Sequence, residues 1–346
     1  MPQTLTIRQP DDWHLHLRDG ASLPQTVAAS ARSFARAIVM PNLQPPVTDL
    51  DAALAYRQRI LAALPAGSDF QPLMTLYLTD ATGPAAIQAA ADSGAVFGVK
   101  LYPAGATTHS DAGVTDLARC TPALEAMAEA GLPLLVHGEV TDPQVDIFDR
   151  EREFLERVLA PLLERHPRLR VVLEHVTSRA GVEFVRQGPE RLAATLTAHH
   201  LLINRNHLLA GGIRPHHYCL PVAKRERDRE ALLEAAVSGH PRFFLGTDSA
   251  PHTRATKEAA CGCAGIYTAP LALELYARAF EQAGALQRLD DFAGRFGAAF
   301  YGMPLNSGRV TLEREPWQVP DAYPLGAGTV RPMGAGETLE WRLRGP

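Results

Sequence analysis

The sequence has few of the features that mark exported, membrane-embedded or nucleic-acid-binding chains. Its four cysteines among 346 residues are too few and too scattered for a disulfide framework, which favours a reducing compartment. It contains no apolar run as long as a membrane span, and no basic and apolar leader at its start. Its net charge of -4 provides no basic surface for nucleic acid or anionic lipid. We therefore expect a cytoplasmic globular protein with no nucleic-acid or membrane partner.

A glycine-rich phosphate turn is also missing after the first strand-like segment, which argues against a doubly wound open sheet. The chain instead alternates short apolar runs with amphipathic helical stretches. Because parallel strands need crossovers and the helices cover the sheet, eight such runs predict an α/β fold of the (β/α)8 TIM barrel type. The apolar runs are 13–17, 37–40, 73–78, 96–102, 132–136, 169–173, 192–198 and 242–245, and the helical stretches between them are 23–33, 49–64, 84–93, 115–130, 151–165, 179–187 and 227–238.

The rest of the chain is predicted to cover the barrel. Helical stretches at 270–283 and 289–300 follow the eighth run, and the tail beyond them is rich in Pro and Gly, with strand-like pieces at 309–312 and 338–343. We expect one barrel domain over residues 1–302 and a C-terminal appendage over residues 303–346. Cys261 and Cys263 have one residue between them, which is not a zinc-ribbon spacing, so we interpret them as loop thiols.

Polar residues gather where the predicted strands end, and in a barrel these ends form the active-site face. His14 and His16 fall on one face of the first strand, where two imidazoles suit a shared metal ion. Such a pair alone is more often solvated or part of a core, but further nitrogen and oxygen donors stand at other strand ends. The sequence therefore predicts a metal site at one mouth of the barrel, where donors from Asn42, Lys100, His137, His175 and Asp248 converge with the two histidines.

Two of these donors, Lys100 and Asp248, and the neighbouring Arg18 indicate what chemistry the site could perform. Burial of Lys100 within its strand favours a neutral amine, suited to a Schiff base or to a carbamate formed with carbon dioxide, and the nearby histidines favour the metal-bridging carbamate. Asp248 could ligate a metal and accept a proton from bound water, or it could cap the following helix. Arg18 shares the face of His14 and His16, where it could hold an anionic group.

Four motifs together resemble the short bacterial dihydroorotases of the amidohydrolase superfamily. The resemblance runs from near the N-terminus to about residue 300. The motifs are Asp-Trp-His-Leu-His-Leu-Arg-Asp at 12–19, Met-Pro-Asn at 40–42, Val-Lys-Leu-Tyr-Pro at 99–103 and Gly-Thr-Asp-Ser-Ala-Pro-His at 246–252.

The resemblance implies a centre of two zinc ions, although nitrogen and oxygen donors alone do not select zinc over cobalt or manganese. It implies that His14 and His16 hold one ion and that His137 and His175 hold the other. A hydroxide and carboxylated Lys100 would bridge the ions, and Asp248 would complete the first ion's shell and act as general acid and base. The implied substrate residues are Arg18, Asn42 and His252 at the α-carboxylate, the backbone of Leu220 and Ala264 at the ring amide, and Thr107 and Thr108 in a mobile loop.

The resemblance also implies an activity and an assembly state. The activity is the reversible cyclisation of N-carbamoyl-L-aspartate to L-dihydroorotate with release of water, the third step of de novo pyrimidine (UMP) biosynthesis. In the ring-opening direction the bridging hydroxide attacks the ring carbonyl and Asp248 carries the proton to the departing nitrogen. The family is commonly homodimeric, so we expect a homodimer.

Two alternatives to the dihydroorotase activity fit the sequence less well. A hydantoinase or dihydropyrimidinase would use the same metals on a ring without an exocyclic carboxylate, which leaves Arg18 without a purpose. Those relatives typically carry a β-sandwich built partly from a long segment before the His pair, and only 13 residues precede His14. A non-catalytic barrel scaffold would be expected to lack at least one ligand, whereas every motif position here is filled.

Overall fold

The computed structural model describes residues 3–344 and confirms the parallel barrel. One strand, β1 (Thr4–Arg8), precedes the barrel. Eight parallel strands then pair in sequence order, each with the next. They are β2 (Asp11–Leu15), β3 (Arg36–Val39), β4 (Gln71–Tyr77), β5 (Val96–Leu101), β6 (Leu134–Val136), β7 (Val171–Leu173), β8 (Leu192–Leu196) and β9 (Phe243–Leu245).

The barrel closes just beyond its first and last strands. Leu15 at the end of β2 forms a parallel bridge with Ser249, which lies four residues past the end of β9. The backbone N–H of His16 donates to the Ser249 carbonyl at 3.2 Å, and that of Asp248 donates to the His14 carbonyl at 2.9 Å. The seam of the barrel therefore runs through the motif that contains the two histidines and through the motif that contains Asp248.

A bulge in the first barrel strand aims residues toward the mouth. The pairing of β2 with β3 shifts register between Asp12 and Leu15. Trp13 packs into the apolar interior of the barrel and stacks on Tyr301, with ring centroids 4.5 Å apart. A bulge inserts an extra residue and so changes which face the following side chains occupy. The side chain of His14, next to Trp13, consequently lies among the polar residues of the mouth.

Helices cover the outside of the barrel. Helices α5 and α6 are joined by a π-helical turn, Leu155–Leu159, so they form one continuous run. The helices are α1 (Leu23–Ala31), α2 (Leu50–Ala62), α3 (Pro84–Asp92), α4 (Thr121–Ala130), α5 (Arg150–Phe154), α6 (Ala160–Arg165), α7 (Arg179–Gln187), α8 (Ala198–Leu202), α9 (Arg205–Leu209), α10 (Glu226–Val237), α11 (Arg254–Lys257), α12 (Ala272–Gln282), α13 (Leu289–Gly294) and α14 (Phe296–Tyr301); short 3-10 turns occupy Gly20–Ser22, Leu117–Cys120, Pro215–His217, Ala269–Leu271 and Leu286–Arg288.

Two of these elements differ from the sequence-based expectations for a physical reason. The helix expected over 115–130 begins only at Thr121, because Thr115 is held outside it by two hydrogen bonds to the carboxylate of Asp80. The helix expected over 289–300 is two helices, with Arg295 between them at φ -124°. No helix among residues 3–344 is long and apolar enough to cross a membrane.

A small sheet from both ends of the described chain packs beside the barrel. Its strands are β10 (Arg309–Gln318) and β13 (Thr338–Leu343), together with β1, which pairs with β10 from Thr4 to Arg8. Strands β11 (Tyr323–Leu325) and β12 (Gly328–Val330) form a separate hairpin. The sequence did not indicate β1, because its partner is some 300 residues away in the chain. The division at residues 302 and 303 stays a prediction, and residues 345–346 of the predicted appendage lie outside the described part.

Candidate active site

The polar residues predicted at the strand ends surround one mouth of the barrel. His14 lies in β2 and Lys100 in β5, while the others follow their strands within a few positions. One cavity is lined by His14, His16, Arg18, Asn42, Thr107, Thr108, His137, His175, Leu220, Asp248 and Ala264. Lys100 is buried beneath this cavity, and His252 contacts Arg18 at its edge. The structure thus brings all thirteen predicted residues into one region.

Three donor atoms at the seam form a compact triangle. His14 Nε2 lies 3.2 Å from His16 Nε2. Asp248 Oδ1 lies 3.4 Å from His14 Nε2 and 3.2 Å from His16 Nε2. Ligand atoms about 2.0–2.2 Å from a tetrahedral ion are separated by about this distance. Burial lowers the pKa of His16 to about 4, which keeps its imidazole neutral, as metal binding requires.

The backbone around Asp248 is constrained to make this triangle. Asp248 has a φ of 44°, which is uncommon for a residue other than glycine. Thr247 is anchored by Asp12, whose carboxylate accepts from the Thr247 N–H at 2.8 Å and from its hydroxyl at 2.6 Å. A Cβ on Gly246 would lie 2.7 Å from Thr195 Cβ and 3.1 Å from His14 Cβ, so only glycine fits between the strands.

Lys100 is completely enclosed and faces Glu174, a residue that the sequence analysis did not single out. The Lys100 ammonium donates to Glu174 Oε2, and Glu174 Oε1 lies 3.0 Å from His14 Nδ1. Burial lowers the pKa of Lys100, and the Glu174 carboxylate opposes that shift. Glu174 therefore fixes both a candidate metal ligand and the lysine. The signal available in the sequence was its position beside His175 at the end of β7.

A second group of donors lies against the first. The ring centroid of His175 is 4.9 Å from those of His14 and His137. His137 Nε2 lies 3.0 Å from Glu139 Oε2, which leaves Nδ1 of that imidazole for another partner. Burial lowers the pKa of His175 well below its usual value, so that ring is neutral. Glu139 was also missed by the sequence analysis.

The donors in the mouth fit a metal centre. His14, His16 and Asp248 form one group of close ligand atoms, and His14 forms another with Glu174 and His175. Nδ1 of His175 is buried and has no hydrogen-bond partner within the described residues, which is unusual for a buried imidazole and leaves this nitrogen available to a ligand. Neutral imidazoles and carboxylates are ligands that zinc and its neighbours in the first transition row accept.

A cationic group stands beside these donors. Arg18 donates from Nε to the Pro251 carbonyl at 3.0 Å, and its Nη2 lies 3.0 Å from His252 Nε2. Arg18 also has a positive φ, 60°, and its side chain lines the cavity. Burial, reinforced by the adjacent guanidinium, lowers the pKa of His252 to about 2, so the imidazole is neutral. The pair offers one fixed positive charge within the cavity.

The loop after β5 covers the mouth. Asn42 Nδ2 donates to the Thr108 carbonyl at 3.2 Å, and the Thr108 hydroxyl lies 3.5 Å from the Ala264 carbonyl. Ser110 holds the loop's own shape, because its hydroxyl donates to the Thr107 carbonyl at 2.6 Å and accepts from the Thr107 N–H at 2.8 Å. In this structure the loop therefore touches residues from two sides of the cavity.

His199 and His200, which follow β8, do not line the cavity. Both ring nitrogens of His200 are engaged, with Thr197 Oγ1 at 2.8 Å and with the Pro221 carbonyl at 3.0 Å. His200 therefore supports the segment next to Leu220.

Comparisons with known proteins identify the family to which this site belongs. The amidohydrolase family pattern matches residues 11–322. The chain is 66% identical to a dihydroorotase of Halorhodospira halophila over 343 residues, 99% of each chain. A dihydroorotase structure from Campylobacter jejuni superposes with a TM-score of 0.91 at 38% identity, covering 99% of this chain and 98% of the other. The chain belongs to the dihydroorotases of the amidohydrolase family.

A second solved dihydroorotase, from Saccharomyces cerevisiae in complex with 5-fluoroorotic acid, has a TM-score of 0.91 and 35% identity, with 99% of each chain covered. As a dihydroorotase family member, this chain is a metal-dependent hydrolase that acts on cyclic amides of small molecules. The prediction of the family, the barrel and the enzyme class is thereby confirmed.

Proposed function

We propose that the barrel mouth interconverts N-carbamoyl-L-aspartate and L-dihydroorotate through the residues described above. The observation that carries this proposal is the side-by-side arrangement of the His14, His16 and Asp248 triangle and the Arg18 cation in one cavity. A substrate with a ring amide at one end and a carboxylate at the other matches both features. The ligand of the yeast relative, 5-fluoroorotic acid, likewise combines a pyrimidine ring with a carboxylic acid.

The residues of the mouth would hold two zinc ions, one at His14, His16 and Asp248 and one at His137 and His175, with carboxylated Lys100 between them. Metal ions bound there supply polarisation of the ring carbonyl and a water of lowered pKa. Lys100 suits carboxylation because burial lowers its pKa toward the neutral amine, the form that adds to carbon dioxide. Glu174 and Glu139 orient His14 and His137 from outside.

Asp248 is the general acid and base of the proposal. Its carboxylate is buried beside two imidazoles, and although burial alone would raise its pKa, the hydrogen bonds from His14 and His16 hold that pKa well below the usual range. The carboxylate therefore enters the ring-opening reaction ionised and takes up the proton of the attacking water. It then passes that proton to the amide nitrogen that leaves the ring carbonyl.

The substrate is held by the remaining predicted residues. Arg18, Asn42 and His252 bind the exocyclic carboxylate, for which the guanidinium provides the opposite charge. The backbone groups of Leu220 and Ala264 bind the ring amide. Thr107 and Thr108 close over the substrate from the loop after β5, a role consistent with the contacts of Thr108 to Asn42 and Ala264. We also propose a homodimer, as the resemblance implies, and a place in the cytoplasm, which the few and scattered cysteines favour.

A pair of substrates tests the assignment. The purified protein is assayed with dihydroorotate and with dihydrouracil, which lacks the carboxylate, before and after chelation and readdition of zinc. We expect turnover of dihydroorotate alone, lost on chelation and restored by zinc. Turnover of dihydrouracil in place of dihydroorotate would contradict the role of Arg18 and favour the hydantoinase alternative. A metal-loaded protein that turns over neither compound would favour the scaffold alternative.

The carbamate is tested without an activity measurement. Protein equilibrated with 13C-labelled carbon dioxide should show one carbamate carbon signal by NMR, absent from a Lys100→Arg variant. Metal analysis of the same samples should give two ions per subunit in the unmodified protein. The absence of the carbon signal from protein that holds two ions would overturn the bridging role of Lys100.

A further inference from the structure

Lysine is scarce in this chain, and its placement is selective. Of the 34 Lys and Arg residues, only Lys100, Lys224 and Lys257 are lysine. All three are buried, with exposed fractions of 0%, 3% and 2%. Lysine is seldom fully buried unless its ammonium is engaged. The proposed function uses Lys100, and it leaves the other two without a role.

Lys257 lies at the end of α11 and holds two loops together. Its Nζ donates to the Tyr218 carbonyl at 2.7 Å, to the Cys263 carbonyl at 2.8 Å and to the Gly265 carbonyl at 2.9 Å. An ammonium has three donors and no acceptor, so three carbonyls satisfy it completely. A planar guanidinium cannot donate from a single nitrogen to three surrounding carbonyls in this way.

The three carbonyls flank the two backbone groups assigned to the ring amide. Tyr218 lies two residues before Leu220, while Cys263 and Gly265 lie on either side of Ala264. The two loops also join directly, because the Gly265 N–H donates to the Tyr218 carbonyl at 3.0 Å. Gly265 adopts a φ of 150°, and a Cβ there would lie 2.3 Å from the Ala250 carbonyl oxygen. The segment around Ala264 is therefore tightly fixed once Lys257 is in place.

We propose that Lys257 is a positioning residue for ring binding, which sets the spacing between the backbone groups of Leu220 and Ala264. This inference rests on the proposed function, since it gives those groups a ring amide to bind. Lys257 does not itself line the cavity. Its effect reaches the substrate through the two loops, and so it should appear mainly in substrate binding.

The charge of the Lys257 ammonium should make substrate binding depend on pH. Burial lowers the pKa of Lys257 to about 8. Deprotonation removes one of the three donors, so the grip on the loops weakens as the pH rises through this value. The groups that face Lys257 are Arg18, His252, Tyr218 and the thiols of Cys219 and Cys263. Burial raises the pKa of both thiols and of Tyr218, so these groups stay neutral while Lys257 titrates. His252 is already neutral, and the Arg18 guanidinium keeps its charge.

The test compares three variants of the zinc-loaded protein. Lys257→Met keeps the length of the side chain and removes the donors. Lys257→Arg keeps the charge without the three-donor geometry. Arg254→Met is the matched control, since Arg254 lies on the same short helix and, among residues 3–344, its side chain pairs with Glu258 alone, at 2.8 Å. For each protein we measure kcat and KM for dihydroorotate, the binding of orotate by calorimetry, and deuterium exchange of residues 217–222 and 259–266 without ligand.

We expect Lys257→Met to raise KM and the orotate dissociation constant about tenfold, with kcat changed less than threefold and faster exchange in both segments. Arg254→Met should match the unmodified protein. In the unmodified protein KM should rise above pH 8, and in Lys257→Arg that rise should disappear. A folded Lys257→Met protein with unchanged KM and unchanged exchange would overturn the proposal.

Other outcomes are also decisive. A fall in kcat with no change in orotate binding would overturn the positioning role as well. If Lys257→Met does not fold, the pH profile of the unmodified protein and the Lys257→Arg variant decide the question. Failure of the unmodified protein to turn over dihydroorotate would contradict the proposed function instead, while the exchange measurement would still report whether Lys257 joins the two loops.

Discussion

The two ends of the mouth are built from different parts of the barrel. The proposed metal end comprises residues in strands or within a few residues of a strand end, namely His14, His16, Lys100, His137, His175 and Asp248. The proposed substrate end comprises Arg18 and Asn42, which lie three residues past a strand as Asp248 does, and a larger group that lies farther out in loops: Thr107, Thr108, Leu220, His252 and Ala264. Strand ends are held by the barrel ladder, whereas the loops have fewer backbone bonds and are also held by individual side chains, such as Asn42 and Lys257. We therefore expect damage at the metal end to abolish chemistry and damage at the substrate end to weaken binding.

The strongest test of this contrast is Asp248→Asn. The amide keeps the size of the side chain but cannot accept a proton or supply a negative charge to the triangle. We expect kcat to fall by about 10³-fold or more. Steady-state kinetics with metal content measured on the same samples checks this. Asp290→Asn is the control, because that carboxylate pairs with Arg8 in the same fold and away from the mouth. A loss of less than tenfold would contradict the role of Asp248.

At the substrate end, Arg18→Met should act on KM. The change removes the cation that faces the substrate carboxylate, and charge-assisted hydrogen bonds of this kind are worth about 100-fold in binding. We expect that rise in KM for dihydroorotate with metal content unchanged. Arg59→Met is a suitable comparison, since Arg59 forms an exposed pair with Asp19 beside the mouth. If Arg18→Met instead lost its metal, the separation between the two ends would be wrong.

Two carboxylates, those of Glu174 and Glu139, contact the proposed metal ligands from outside, and their role can be tested by metal affinity. Glu174→Gln removes the carboxylate that contacts His14 and Lys100, and outer carboxylates of this type contribute about 10- to 100-fold to metal affinity. Titration with a chelator, followed by metal analysis, should show ions released at correspondingly lower chelator concentration. Glu139→Gln should weaken binding of the other ion, at His137. Unchanged release in both variants would limit these carboxylates to a structural role.

The smallest expected effect is that of Ser110→Ala in the covering loop. The buried Ser110 hydroxyl makes two hydrogen bonds to Thr107, and its loss loosens the loop without touching the ions. We expect KM to rise about threefold, which corresponds to one ordinary hydrogen bond, and amide exchange to accelerate over residues 104–113. Faster exchange with unchanged KM would separate the shape of the loop from its role in binding.

The same contrast explains what could be predicted from the sequence. Each strand carries its own apolar run, and barrel topology brings the strand ends to one face, so His14, Lys100, His137 and Asp248 could be placed together without knowing any contact. The ends of the helices were less certain, because side-chain bonds such as those from Thr115 to Asp80 decide them.

Partner residues could not be predicted in this way. Glu174 and Lys257 act through atoms that meet only after distant segments pack, and nothing in their local sequence identifies the partner. Glu139 differs, because it lies only two residues from its partner His137 and was overlooked although that partner is local. The positive φ values of Arg18, His175 and Asp248 were equally hidden, since these residue types usually adopt other conformations. Such strained positions are imposed by the surrounding structure and often occur at sites of function. The pairing of β1 with β10 was missed because it joins the two ends of the chain.

The seam of the barrel determines when in folding the His14, His16 and Asp248 triangle can form. His14 and Asp248 are neighbours in space but come from the first and last strands of the barrel, so the triangle does not exist until almost the whole barrel has been synthesised and closed. An ion held by that triangle would link the first and last strands of the barrel, which no crossover connects directly. Capture of an ion by this triangle would then coincide with closure of the barrel, and the bound ion would stabilise the closed form.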